Sequence, residues 1–145
     1  MNSAKKDLVG TFQDFGGVSL RDVWVFDRKE YEPLYVGVDV VELIQDLDVS
    51  KYIETERHGY KEHEIYDTLH YADYEYTVRG FDSFEQFRMF LHREEDDDIG
   101  LFASFDVRNG GYNFHELYDG VVEVTEEHPV NMFRPNAESD RTRVV

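Results

Sequence analysis

The stretch SLRDVWVFDRKEYEPLYVGVDV, residues 19–40, holds two apolar runs, Val23 to Phe26 and Leu34 to Val38, on either side of the charged DRKE. Two short apolar runs around a polar break predict a β-hairpin. Pro33 has no N–H to donate, so it belongs at the start or on the outer edge of the second strand. Upstream, Leu8, Val9, Phe12 and Phe15 recur at helical spacing and Gly16-Gly17 ends the run, which predicts a short helix. Downstream, Asp39 and Glu42 have capping-box spacing before Val40, Val41, Ile44 and Leu47, again at helical spacing. A second short helix is expected to open at Asp48 or Ser50, run through Val49, Tyr52 and Ile53, and end near Gly59. YKEHEIYDTLH, residues 60–70, is assigned to helix on Ile65 and Leu69, although its tyrosines also suit a strand.

Further along, Tyr71 to Arg79 alternates, with Ala72, Tyr74, Tyr76 and Val78 on one face, and this predicts a half-buried strand. The turn GFDS leads to FEQFRMFLH, whose Phe87, Met89 and Leu91 share a face. The acidic run Glu94 to Asp98 then reads as a solvated hairpin tip before IGLFASFD rather than as a cation site. Asn113 and Glu116 repeat the capping-box spacing ahead of the stripe Phe114, Leu117, Tyr118, Val121 and Val122, which predicts a last helix to about Glu127. The expectation is one α+β domain over residues 1–128 and a mobile tail over 129–145, with Phe133 as its candidate anchor.

Helix, two strands, helical crossover, three strands, helix is the order of a single five-stranded antiparallel sheet (β-β-α-β-β-β) carrying N- and C-terminal helices. That order resembles the superfold shared by roadblock, profilin, PAS and GAF domains, and the terminal helices favour the roadblock or profilin version over PAS. The resemblance implies a strand order of 2-1-5-4-3. More narrowly, residues 19–40 together with YTVRGFDSFEQFRMF, residues 76–90, resemble a group of small uncharacterised haloarchaeal proteins over about residues 19 to 124. That resemblance implies no reaction.

The chain has 145 residues, of which 32 are Asp or Glu and 15 are Lys or Arg, for a formal charge of -17. The basic residues divide into 5 Lys and 10 Arg, and the acids are spread along the chain. Such a surface repels itself at low ionic strength, whereas near 1 M salt the Debye length is only about 3 Å. A salt-rich cytoplasm is the expected setting. An ordinary acidic protein and a nucleic-acid mimic facing a basic partner are the other readings of the charge. Direct binding to nucleic acid or to an anionic membrane is not expected, since both need clustered Lys and Arg. With 0 Cys, thiol chemistry and thiolate metal sites are excluded. The sequence has neither a signal-like apolar stretch near Met1 nor a membrane-length apolar run, so a soluble, cytoplasmic protein is expected.

His63, Asp67 and His70 fall at i, i+4 and i+7, one face of a helix, and are the candidate metal ligands; His58 and His92 join only if the fold brings them near. No serine lies in GxSxG, and neither Gly16-Gly17 nor Gly110-Gly111 belongs to a nucleotide-binding motif, so both pairs read as turns and no cofactor is expected. Trp24, Phe26, Phe84, Phe90 and Phe102 lie on strand faces opposite the other apolar residues. Either a partner protein or a second helix layer within the monomer would cover them. The leading expectation is a nonenzymatic regulatory or scaffold module that binds protein through its sheet, including as a homodimer. The alternatives are a small-molecule sensor of PAS or GAF type, and a metal protein or enzyme using His63, Asp67 and His70.

Overall fold

Helix α1 (Ser3–Gly16) opens on Asn2, whose side-chain oxygen accepts from the Lys5 amide at 2.8 Å. It buries Ala4, Leu8, Val9 and Phe12 on the face predicted from their spacing. It ends where predicted. Gly17 turns the chain at φ 55, and a Cβ on Gly16 would lie 2.7 Å from the Phe105 ring. These features come from a computed structural model that describes residues 1–45, 47–69, 71–92 and 98–136, apart from the His92 side chain.

The hairpin forms as β1 (Leu20–Phe26) and β2 (Tyr31–Val36). β3 (Tyr76–Gly80), β4 (Phe84–His92) and β5 (Ile99–Asp106) complete one antiparallel sheet in the order β2-β1-β5-β4-β3. This is the α+β, roadblock-like architecture expected. Pro33 sits on edge strand β2 opposite Trp24, next to a register shift between Val23 and Trp24.

Helix α4 (Phe114–Glu126) starts at Asn113, whose side chain accepts from the Glu116 amide, and it packs beside α1 on one face of the sheet. The other face is covered by α2 (Val38–Ile44) and α3 (Val49–Tyr66), whose Ile44, Val49, Ile53 and Tyr60 meet Trp24, Phe26, Phe90 and Phe102.

Several boundaries differ from the sequence expectation. α2 begins at Val38 behind Gly37, so Asp39 lies in its first turn and makes no cap; its charge still faces the positive end of the helix. α3 does not stop at Gly59 but continues to Tyr66, joining two predicted helices. Glycine is required there for space, since a Cβ would lie 2.6 Å from the Arg88 guanidinium carbon. Residues 71–75 are not in the ladder. Tyr74 leaves the face of Tyr76 and Val78 because its ring packs against His63 and Tyr66 of α3.

Beyond Pro129 the chain makes a 3-10 turn, Val130–Phe133, and Phe133 is fully buried in the core beneath α1 and α4. Asn2 donates to the Met132 carbonyl at 2.8 Å, and the Asn136 amide donates to Glu32 at 3.1 Å. At least this part of the expected tail is therefore held, by an apolar anchor and hydrogen bonds together. Residues 137–145 lie outside the described residues.

Candidate functional site

His63 occupies the last turn of α3, where the helix passes over the β4–β5 end of the sheet. Its Nδ1 is 3.2 Å from Asp67 and its Nε2 2.9 Å from Asp98. The ring is buried and packs on Phe90 at 4.6 Å between centroids. A neutral imidazole donates to one of these carboxylates and only an imidazolium donates to both. Of the candidate ligands His63, Asp67 and His70, the first two lie together, His63 is also engaged by Asp98, a residue of the acidic run, and His70 lies outside the described residues. Asp7, Glu127 and His128 bring ligand atoms within 4.8 Å of one another, but both carboxylates are exposed and His128 already meets Asp7 at 2.8 Å.

The predicted interaction surface also needs correction. Trp24, Phe26, Phe90 and Phe102 are at most 5% exposed, because α2 and α3 supply the second helix layer that covers them. Phe84 is half-buried, with the Arg21 guanidinium 4.6 Å above its ring and Phe81 stacked beside it.

Under α3 the interior is ionic. Arg88, 1% exposed, projects from β4 between Phe87 and Met89, which face the opposite side. It reaches Glu62 at 2.8 Å and Thr77 at 3.1 Å, with Glu56 3.5 Å away. Glu56 also accepts from Arg79 at 2.8 Å. Burial alone would lower the Arg88 pKa, but Tyr74 and Glu62 outweigh it and hold the guanidinium charged. Sequence reasoning missed this group. Its only trace is Gly59 inside a helical pattern, with a charged residue in the middle of an apolar strand.

The opposite end of the same face contains a cleft. A cavity of about 230 Å³ lies between α2, the start of α3 and the sheet. Trp24 and Phe102, stacked with an interplanar angle of 3°, form part of its wall. Ile44, Leu47 and Tyr52 line the helical side. At the polar end Ser104 donates to Asp22 at 2.7 Å, Arg21 reaches Ser104 at 3.3 Å, and Arg21 pairs with Asp106 at 3.2 Å. Burial pushes the Asp22 carboxyl above its ordinary range, while the Ser104 hydroxyl and the nearby Trp24 indole oppose the shift. The Trp24 indole N–H is buried beside Asp22 and turned toward its carboxyl. The polar signal, Asp22 and Ser104 within apolar strands, was present in the sequence but had no partner until β1 and β5 were paired.

The two edges of the sheet differ. β2 carries Pro33 and the register shift, both of which discourage further pairing, and Lys5 ties its Glu32 to α1 at 2.6 Å. Among the described residues β3 pairs only with β4, in an unbroken register from Tyr76↔Met89 to Gly80↔Glu85. The end of α3 and the loop after it, beside this edge, expose Tyr66 by 51%, Leu69 by 38% and Tyr71 by 85%. Tyr66 and Leu69 line an open depression with Tyr76 and Thr77 of β3.

Residues 6–126 match the family described as Domain of unknown function (DUF7522), and the chain belongs to that family. A solved structure described as MglB with tetrameric arrangement has a similar fold: the TM-score is 0.54 at 11% identity, over 88% of this chain and 93% of that one. The gliding protein MglB from Thermus thermophilus gives 0.51 at 13% identity, over 88% and 95%. At these identities the likeness is one of fold. No curated protein matches the sequence. Among the described residues, no helix is long and apolar enough to cross a membrane.

Proposed function

We propose that this DUF7522 protein is a nonenzymatic regulatory or scaffold module that binds protein through the β3 edge of its sheet, with a second copy of itself as the first partner. The observation that carries this reading is the asymmetry of the edges: β2 is guarded, whereas β3 is unbroken and flanked by exposed Tyr66, Leu69 and Tyr71. Strand addition at such an edge supplies backbone hydrogen bonds, and the flanking apolar side chains supply buried area. The tetrameric arrangement named for the structure of similar fold is in keeping with association. The working medium we infer is a salt-rich cytoplasm, on the charge of -17.

Size-exclusion chromatography with light scattering, in about 2 M KCl where surface repulsion is screened, tests the assembly. A dimer is expected, and the double variant Leu69→Asp/Tyr71→Asp is expected to be a folded monomer. A wild-type monomer at every concentration sinks the reading. Salt is tested separately: the midpoint of thermal unfolding should rise as KCl approaches the molar range, and a midpoint indifferent to KCl refutes the proposed medium.

A further inference from the structure

An apolar groove follows α2 across an otherwise strongly acidic surface. It joins the cleft of about 230 Å³ beside Trp24 and Phe102 to a second depression of about 190 Å³ beside Gly37, and the two share Arg21, Val40 and Leu43 in their linings. On their walls Val38 is 85% and Leu43 61% exposed, and Leu47 and Tyr52 are exposed as well. Exposed apolar side chains gathered around a concave surface mark an interaction site, whereas scattered ones do not. Each depression is smaller than the about 300 to 1,000 Å³ of small-molecule pockets and has the scale of one that takes an anchoring side chain.

The polar groups narrow the choice of occupant. Asp22 receives the Ser104 hydroxyl and has the Trp24 indole beside it, and Arg21 is engaged by Ser104 and Asp106, so the polar floor is already satisfied. What enters is therefore apolar. The rim is negative: exposed Asp39 and Asp106 line the outer depression, and Glu42 and Asp48 stand exposed on α2 and just beyond it. A second copy would set acids against acids in a symmetric contact here, and nucleic acid or an anionic membrane would be repelled. α2 has 7 residues, a length of about 10 Å, which matches the reach of apolar positions i, i+4 and i+7 on a helix laid along it. We propose that this groove docks a basic amphipathic helix of another protein, whose apolar side chains fill the two depressions around Leu43 and whose Lys or Arg side chains meet Asp39 and Asp106. The surface is separate from the β3 edge, since its linings share no residue with the depression there.

The chain has 1 Trp, and it forms part of the cleft wall, so its emission reports occupancy. The probe is a synthetic Leu/Lys peptide of repeating pattern LKKLLKK, which puts its leucines on one helical face. A peptide of the same composition with its leucines spread around the helix, and a Leu/Glu peptide of the same pattern, are the comparisons. Near 1 M KCl the Debye length is about 3 Å, so long-range attraction to the acidic surface is screened and direct contact remains. The patterned Leu/Lys peptide is expected to shift the Trp24 emission and to saturate, with a dissociation constant on the order of 10 μM. Both comparison peptides should bind at least about tenfold more weakly. Leu43→Asp, at an exposed position, should keep the circular dichroism of the wild type and lose the response. An emission that does not move, an equal response to either comparison peptide, or a full response in Leu43→Asp would each overturn the proposal. So would an emission that changes with protein concentration alone, which would give the groove to a second copy.

Discussion

The two faces of the sheet are built on different principles. Against α1 and α4 the core is apolar apart from the buried Lys5–Glu32 pair at its β2 edge: Phe12, Phe87, Phe105 and Phe114 contact one another, with Val23, Val25 and Leu101 around them. Against α2 and α3 a smaller aromatic cluster shares the interior with Arg88, Glu56, His63 and Asp98, and a cleft remains open at one end. An apolar core is stable wherever its volume is filled. A buried ion must keep a particular partner, because losing one leaves an uncompensated charge. The first face therefore supplies stability, and the second fixes the position of α3 with less tolerance for change.

Substitutions on each face test this contrast. The largest loss is expected at Phe105→Ala, about 4 kcal/mol by chemical denaturation with no change of mechanism, since it opens a cavity among well-packed rings. Glu56→Gln should cost about 3 kcal/mol, because Arg79 and Arg88 both turn to its carboxylate. A loss below that of an ordinary surface substitution would show that Glu62 alone suffices for Arg88. Gly59→Ala is expected to cost about 2 kcal/mol by forcing the helix off the guanidinium, and to become nearly neutral in an Arg88→Met background. Additive costs in that pair would separate Gly59 from Arg88.

The smallest effect is at Asp22, and its sign is informative. Burial raises its folded-state pKa above 3.8, so the native state keeps the proton longer than the unfolded chain does. Stability from this group is full below pH 3.8 and is lost as pH rises through the raised folded value. Asp22→Asn mimics the protonated acid and should slightly raise the thermal midpoint at pH 7, with the advantage fading in acid. A lower midpoint at pH 7 and an unchanged one in acid would reverse the assignment.

The same contrast explains what could be read from the sequence. The dry face was legible because it rests on periodicity: Leu8 and Phe12 in α1, Phe87 and Met89 in β4, and Leu117 and Val121 in α4 all fall where spacing places them. The strand order was implied by the resemblance to the roadblock and profilin superfold and not by spacing. The ionic face was not legible, since its logic lies between segments. Gly59 read as a helix stop because the Arg88 beneath it belongs to another strand, 29 positions on by subtraction of the residue numbers. The contact of His63 with Asp98 was hidden because the two are 35 residues apart. The aromatics of β1, β4 and β5 read equally well as partner-facing or helix-covered, and only the placement of α2 and α3 decides between those readings.

The hydrogen bond between Asn2 and the Met132 carbonyl joins positions 130 apart in sequence. It also has a mechanical consequence. A pulling force applied at residues 2 and 132 would act first on this one local contact and on the start of α1, loading them in sequence and leaving the sheet's hydrogen bonds unstressed until late. The domain is thus expected to yield at low force in that geometry despite a well-packed core, peeling from α1 inward. A single high-force rupture in an optical-trap experiment would show instead that α1 and the sheet share the load from the outset.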